Sequence, residues 1–294
     1  DEELHFFIGK DGVFSSIFDF KQTCLGQEGK GWFDHSLPTA DELKESIFQA
    51  HERADSIGVL STIIENHDEP RGVSHYIVEG PVNDTSKKAL GTIQVLRKGI
   101  PFIYQGQEIG MENQIFESVE DFDDIATING YHVAKEAGLS EEEALAAIAK
   151  YSRDNARTPM QWSAEPGLGF SDGSAWLISP KPNVAINVED QEKDPNSILN
   201  YYRQLTALYR HPLYGNTIRF GDMIPAYRDR ENIIAFERRG DKRLLVISNF
   251  QNREATLELP TPIETVVLNN IAGLFQEGEQ VLELAPYQTV VLEL

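Results

Sequence analysis

The stretch VLSTIIENHDEPRG, Val59–Gly72, decides the fold class. Its first six residues form the apolar run of a strand covered on both faces. The run stops abruptly in Glu65-Asn66-His67-Asp68-Glu69, which gathers an amide, an imidazole and three carboxylates, and then in Pro70-Arg71. Upstream, Leu43, Ile47, Ala50, Ala54 and Ile57 recur at helical spacing after Pro38-Thr39, with Gly58 at the C-cap place. Downstream, 85–99 reads as a helix with Ala89, Ile93 and Leu96 on one face and Gly99 ending it. IPFIYQG (100–106) is a second apolar strand, and DGVFSSIFDF (11–20) reads as a strand before both, followed by a Gly-rich loop.

Strand and helix thus alternate three times. Right-handed crossovers make such strands parallel. Three parallel strands alone leave two apolar edges open, which folded proteins avoid. A (β/α)8 barrel needs eight. The expected fold class is therefore α/β: the last three βα units of a larger TIM barrel. Further along, an acidic segment covers 112–132, and Ser140 with Glu143 forms a capping box opening a helix over 141–156. Residues 163–185 are irregular, and Asp194-Pro195 reads as N-cap and N1 of a helix running to Arg210. From about 214 the texture changes to short strands separated by turn residues, an all-β domain. The expected domains are 1–213, with a helical insertion at about 114–160, and 214–294.

Composition narrows the function. The chain has 294 residues, 40% hydrophobic and 25% charged, enough for a sizeable core. A net charge of −21 argues against nucleic acid or an anionic membrane as partner. No apolar run approaches the ~18–20 residues needed to span a bilayer. The single cysteine, Cys24, excludes an internal disulfide and fits a reducing, cytoplasmic setting. No signal peptide opens the chain, and it lacks an initial methionine, so an N-terminus upstream is expected. The seven histidines show no metal-ligand spacing, and neither a phosphate loop nor a G-x-S-x-G elbow occurs, so no metal and no cofactor are expected.

In barrels, chemistry sits at the C-terminal ends of the strands. Glu65, Asn66, His67 and Asp68 reach that edge from one strand, Gln105, Gln107 and Glu108 from the next, and Asp19 from the first. Carboxylates accept hydrogen bonds from vicinal sugar hydroxyls and an imidazole can donate one. The plain alternative is a solvated turn, which Asn, Asp and Pro favour anyway. Arg153 and Arg157 stand four apart in SRDNARTPMQW (152–162), so on a helix they share a face and can hold carboxylates such as Asp68, or sugar hydroxyls. Ordinary pairing with the acidic helix before them is the alternative. Trp32, Tyr104 and Trp162 suit stacking on a sugar face, though each also suits a core.

Taken together, ENHDEPR (65–71), GIPFIYQGQEIGMEN (99–113), SRDNARTPMQW (152–162) and NYYRQLTALYRHP (200–212) resemble glycoside hydrolase family 13. The likeness is to its oligo-1,6-glucosidase, dextran glucosidase and α-glucosidase branch. The resemblance implies a (β/α)8 barrel followed by a β-sandwich, domain C. It implies that Asp68 is the carboxylate stabilising the transition state, that His67 binds the same glucose in the −1 subsite, and that Arg153 locks the non-reducing end with Arg157 in or beside that pocket. Asn66 and Glu108 are further candidates for the pocket. Glu69 stands where the family commonly has glutamine and is expected outside the pocket's inner wall. A retaining glycosidase needs a nucleophile and an acid/base about 5 Å apart. The family's G-x-R-x-D nucleophile motif is absent, and its acid glutamate would precede this chain. The expected partners are therefore a small oligosaccharide substrate and the missing N-terminal half of the barrel; this chain alone is expected to be inactive. A non-catalytic binding subunit, a sucrose isomerase and a trehalose-6-phosphate hydrolase are the alternatives.

Overall fold

The computed structural model describes residues 3–27, 29–177, 179, 181–273 and 275–294. Three short strands, β1 (Ser16–Phe18), β2 (Val59–Thr62) and β3 (Ile100–Pro101), form a parallel sheet in that order. Ser16 pairs with Val59 and Ser61 with Ile100. These strands are shorter than the runs that predict them. The pairing continues one step further, through Asp19 N–H to the Ser61 carbonyl and Phe102 N–H to that of Thr62, and then ends. Nor are both faces covered along their length: Phe18, Val59, Ile100 and Phe102 are exposed among the described residues.

The crossover helices form as their spacing requires. Helix Ala40–Ala54 opens with a Thr39/Glu42 capping box and buries Leu43, Ile47, Phe48 and Ala50. It ends earlier than expected, because the amides of Ile57 and Gly58 both turn back to the Ala54 carbonyl. Helix Asp84–Leu96 is capped by Asn83 and Ser86 and is buried almost all round. Helix Ile198–Leu208 packs on it, with Tyr201 Oη 2.8 Å from Thr92 Oγ1. Its N-cap is Ser197; Asp194, expected there, instead closes the short helix Val188–Lys193.

Two differences lie in the acidic region. Helix Ile125–Glu136, capped by Asp124, occupies part of the segment read as merely acidic. Only Thr127 and Ala134 are buried in it, so no apolar stripe advertised it. The helix expected over 141–156 breaks after Tyr151. Ser152 turns to extended backbone, and a separate turn of helix follows at Asp154–Arg157.

The C-terminal strands form two antiparallel sheets. Strands β4 (Asp222–Ala226), β5 (Ile233–Arg239), β6 (Arg243–Asn249), β8 (Thr265–Asn269) and β10 (Thr289–Glu293) lie in the order β4-β5-β6-β10-β8. Strands β7 (Ala255–Glu258) and β9 (Val281–Leu284) make the second sheet. Alternation sorts the side chains. Ile234, Phe236, Leu244 and Val246 join one core with the crossover helices, whereas Ile233, Ala235, Leu245 and Ile247 face a second core with Leu257, Leu282 and Leu284. Arg238, fully buried, ties the two parts by donating to the carbonyls of Leu96 (2.9 Å) and Gly221 (2.8 Å).

Candidate active site

Beyond β2 the chain makes a tight loop whose geometry begins with a buried ion pair. Glu65 and Arg71 are both essentially inaccessible, and Arg71 Nη1 lies 3.0 Å from Glu65 Oε1. The second oxygen of Glu65 accepts from Gly72 N–H at 2.6 Å, so one carboxylate closes the whole loop. Arg71 also donates to the Gln105 carbonyl (2.8 Å), fastening this loop to the one after β3. That contact needs a bare backbone at Gly106: its φ is +92°, and a Cβ there would meet Met111 Sδ at 2.5 Å and Arg71 Nη1 at 3.0 Å. Burial pushes the Glu65 carboxyl above its usual range, and the Arg71 charge opposes it.

Inside this closure Asn66 shapes the turn. Its side-chain oxygen accepts from Asp68 N–H at 2.7 Å, an Asx-turn. His67, Asp68 and Glu69 are thereby presented on a cavity of about 410 Å³, within the usual range for small-ligand sites. Phe18, Phe20, Ile63, Phe102, Ile103 and Tyr104 supply apolar and aromatic walls. Two guanidiniums converge on one carboxylate oxygen: Arg157 Nη2 is 2.9 Å and Arg153 Nη1 3.2 Å from Asp68 Oδ1. His67 Nε2 lies 3.3 Å from Asp68 Oδ2, and Arg157 Nε donates to the His67 carbonyl at 2.9 Å.

The sequence candidates separate cleanly. Asn66, His67 and Asp68 line the cavity, and Arg153 and Arg157 reach Asp68 from the short helix Asp154–Arg157 and its N-cap. Glu108 does not line it; its carboxylate turns back to accept from Gly106 N–H at 2.7 Å. Gln107 is buried and donates to Gln94 and Tyr202. Of the three aromatics, Tyr104 lines the cavity, Trp32 packs beside Phe116, Phe122 and Ile148, and Trp162 is exposed elsewhere. Glu69, expected outside, lines the cavity. The sequence reading also missed Asp124 and the walls Phe18, Phe20 and Phe102. For Asp124 the available signal was the cap pattern Asp124-x-x-Thr127.

Burial, and then the neighbouring Asp68 charge, push the Glu69 carboxyl up to about 7 against the opposing hydrogen bond from Thr23. A carboxyl raised by folding stabilises the fold in its protonated form. That contribution is complete below its ordinary value of 4.5 and is lost as pH rises through about 7. Thermal unfolding followed against pH should therefore show stability falling across this window, and Glu69→Gln should flatten the fall. An unchanged slope in the variant would refute the assignment.

Residues 7–213 match the model of the α-amylase catalytic domain, and 233–291 that of the C-terminal domain of the α-amylase SusG. The chain belongs to the α-amylase family, glycoside hydrolase family 13. It is 35% identical to an oligo-1,6-glucosidase of Halalkalibacterium halodurans over 94% of its own length and 49% of the relative's. It is also 35% identical to a trehalose-6-phosphate hydrolase of Bacillus subtilis over 78% of its length and 41% of that protein's. Among solved structures, isomaltulose synthase from Protaminobacter rubrum superimposes with a TM-score of 0.86 at 30% identity, over 95% of this chain and 50% of that one. The family 13 chain described here thus spans about half the length of the relatives it matches. Among its described residues no helix is long and apolar enough to cross a membrane.

Proposed function

We propose that this chain supplies the sugar-stabilising half of the active site of a retaining exo-α-glucosidase that hydrolyses short α-1,6-linked glucosides. The observation that carries the reading is the convergence of Arg153 and Arg157 on Asp68 at the aromatic-walled cavity. Asp68 accepts hydrogen bonds from hydroxyls of the distorted glucose and grips them harder as oxocarbenium character develops. His67 donates to the same ring, and Arg153 fixes its outer hydroxyls with Arg157 beside it. The nucleophile and the acid/base come from the remaining βα units of the barrel, a reading supported by the exposed apolar residues on the three-stranded sheet. A cytoplasmic site of action fits a chain with one cysteine.

Sucrose isomerisation is the second reading, favoured by the likeness to isomaltulose synthase. A phosphorylated substrate fits less well, because the carboxylates of Asp68 and Glu69 line the cavity and Asp68 already engages Arg153 and Arg157. The test supplies the complete polypeptide with isomaltose, maltose, sucrose and trehalose 6-phosphate and identifies the products. Glucose from isomaltose is the expected result. Rearranged disaccharide from sucrose without isomaltose cleavage would replace hydrolysis by the second reading.

A further inference from the structure

A buried carboxylate, Asp124, stands behind the pocket. Asp124 is nearly inaccessible, and its Oδ1 accepts from Arg153 Nε at 2.7 Å. Its Oδ2 is fixed by Thr127, through the amide (3.0 Å) and the hydroxyl (2.8 Å), as the N-cap of helix Ile125–Glu136. A second buried carboxylate, Asp154, secures the turn by accepting from the amides of Asp123 and Asp124, each at 2.9 Å. Asp124 is thus rigid before any sugar arrives.

Its position sets what Arg153 can do. An arginine facing one carboxylate closes on it bidentately through two parallel N–H···O bonds. Here Nε is taken by Asp124, and Arg153 meets Asp68 through Nη1 alone at 3.2 Å. Its guanidinium is thus shared between two carboxylates, while Arg157 holds Asp68 more closely at 2.9 Å. Arg157 shows the same division more weakly, 2.9 Å from Asp68 and 4.0 Å from Asp124.

We infer that Asp124 is a positioning residue, which holds Arg153 off a bidentate clasp with Asp68 and so keeps both groups available to sugar hydroxyls. The inference rests on the glucosidase reading of the site. Asn at 124 retains the helix cap but removes the charge that draws Arg153, so Asp124→Asn separates this role from capping.

The experiment is a double-mutant cycle in the complete polypeptide. Asp124→Asn is expected to lower kcat/KM for isomaltose by about 10–100-fold, with KM carrying most of the change. In an Arg153→Met background the same substitution should cost less than about 2-fold, because its target is gone. Thermal melting accompanies each variant. Equal losses in both backgrounds would show that Asp124 acts on the fold and overturn the inference. Isomaltose affinity, measured by calorimetry, distinguishes a wrong reaction from a wrong role for Asp124. Binding without turnover overturns hydrolysis alone, and the cycle is then read on Kd. A complete polypeptide that binds no isomaltose overturns both.

Discussion

Asp68→Asn in the complete enzyme should lower kcat by about 10²–10³-fold or more, the loss seen when a preorganised transition-state contact is removed. Asparagine keeps the size of the side chain and one acceptor oxygen. It loses the fixed negative charge whose attraction for the sugar, on the proposed reading, grows as oxocarbenium character develops. The fold should hardly notice. The Asp68 side chain is half exposed, and its arginine partners keep other carboxylates, Asp124 for Arg153 and Asp154 within 3.8 Å of Arg157. Exposed pairs of this kind contribute ~0–1 kcal/mol. Turnover close to that of the unaltered enzyme would remove Asp68 from the mechanism.

Arg71→Met should produce the largest loss of stability. It strands Glu65, a carboxylate with almost no access to water, beside a methionine. Breaking a buried pair from one side costs about 3–5 kcal/mol, since a lone buried charge remains. Pairing Arg71→Met with Glu65→Leu should recover much of that, because both charges then leave together. Activity should separate from stability in this pair. Even where the double variant melts normally, the loop carrying His67, Asp68 and Glu69 has lost its closure on Gly72 and its tie to Gln105. Chemical denaturation and isomaltose kinetics on the single and double variants measure the two effects. A single variant destabilised by less than about 1 kcal/mol would mean that Glu65 takes up a proton at little cost and that the loop is held by other contacts.

What could be read from the chain alone follows from how local each signal was. The parallel order of the three strands was legible because crossover helices leave a strong apolar spacing, as in Leu43, Ile47 and Ala50. Their length was not, because a strand's extent depends on neighbours, and β3 pairs over only two residues. The polar burst after β2 pointed to Asn66, His67 and Asp68, whose loop lies on the cavity. Glu108 misled because adjacency to a strand end says nothing of direction. The left-handed turn at Gly106 brings the Glu108 carboxylate back onto its own backbone. Asp124 stayed hidden because its decisive partner, Arg153, is 29 residues away and its own helix has no apolar stripe. Glu69 was misplaced because a neighbour of Asp68 in sequence can point either way, and here it joins the cavity wall.

On the proposed reading this chain holds only part of the catalytic carboxylate set. The most direct test is glucose release from isomaltose and maltose by the 294-residue chain alone. None is expected, with activity returning when the remaining βα units are supplied. Glucose release by the isolated chain would contradict that reading. It would make Asp68 and Glu69, the cavity carboxylates outside the buried Glu65–Arg71 pair, the candidate catalytic couple.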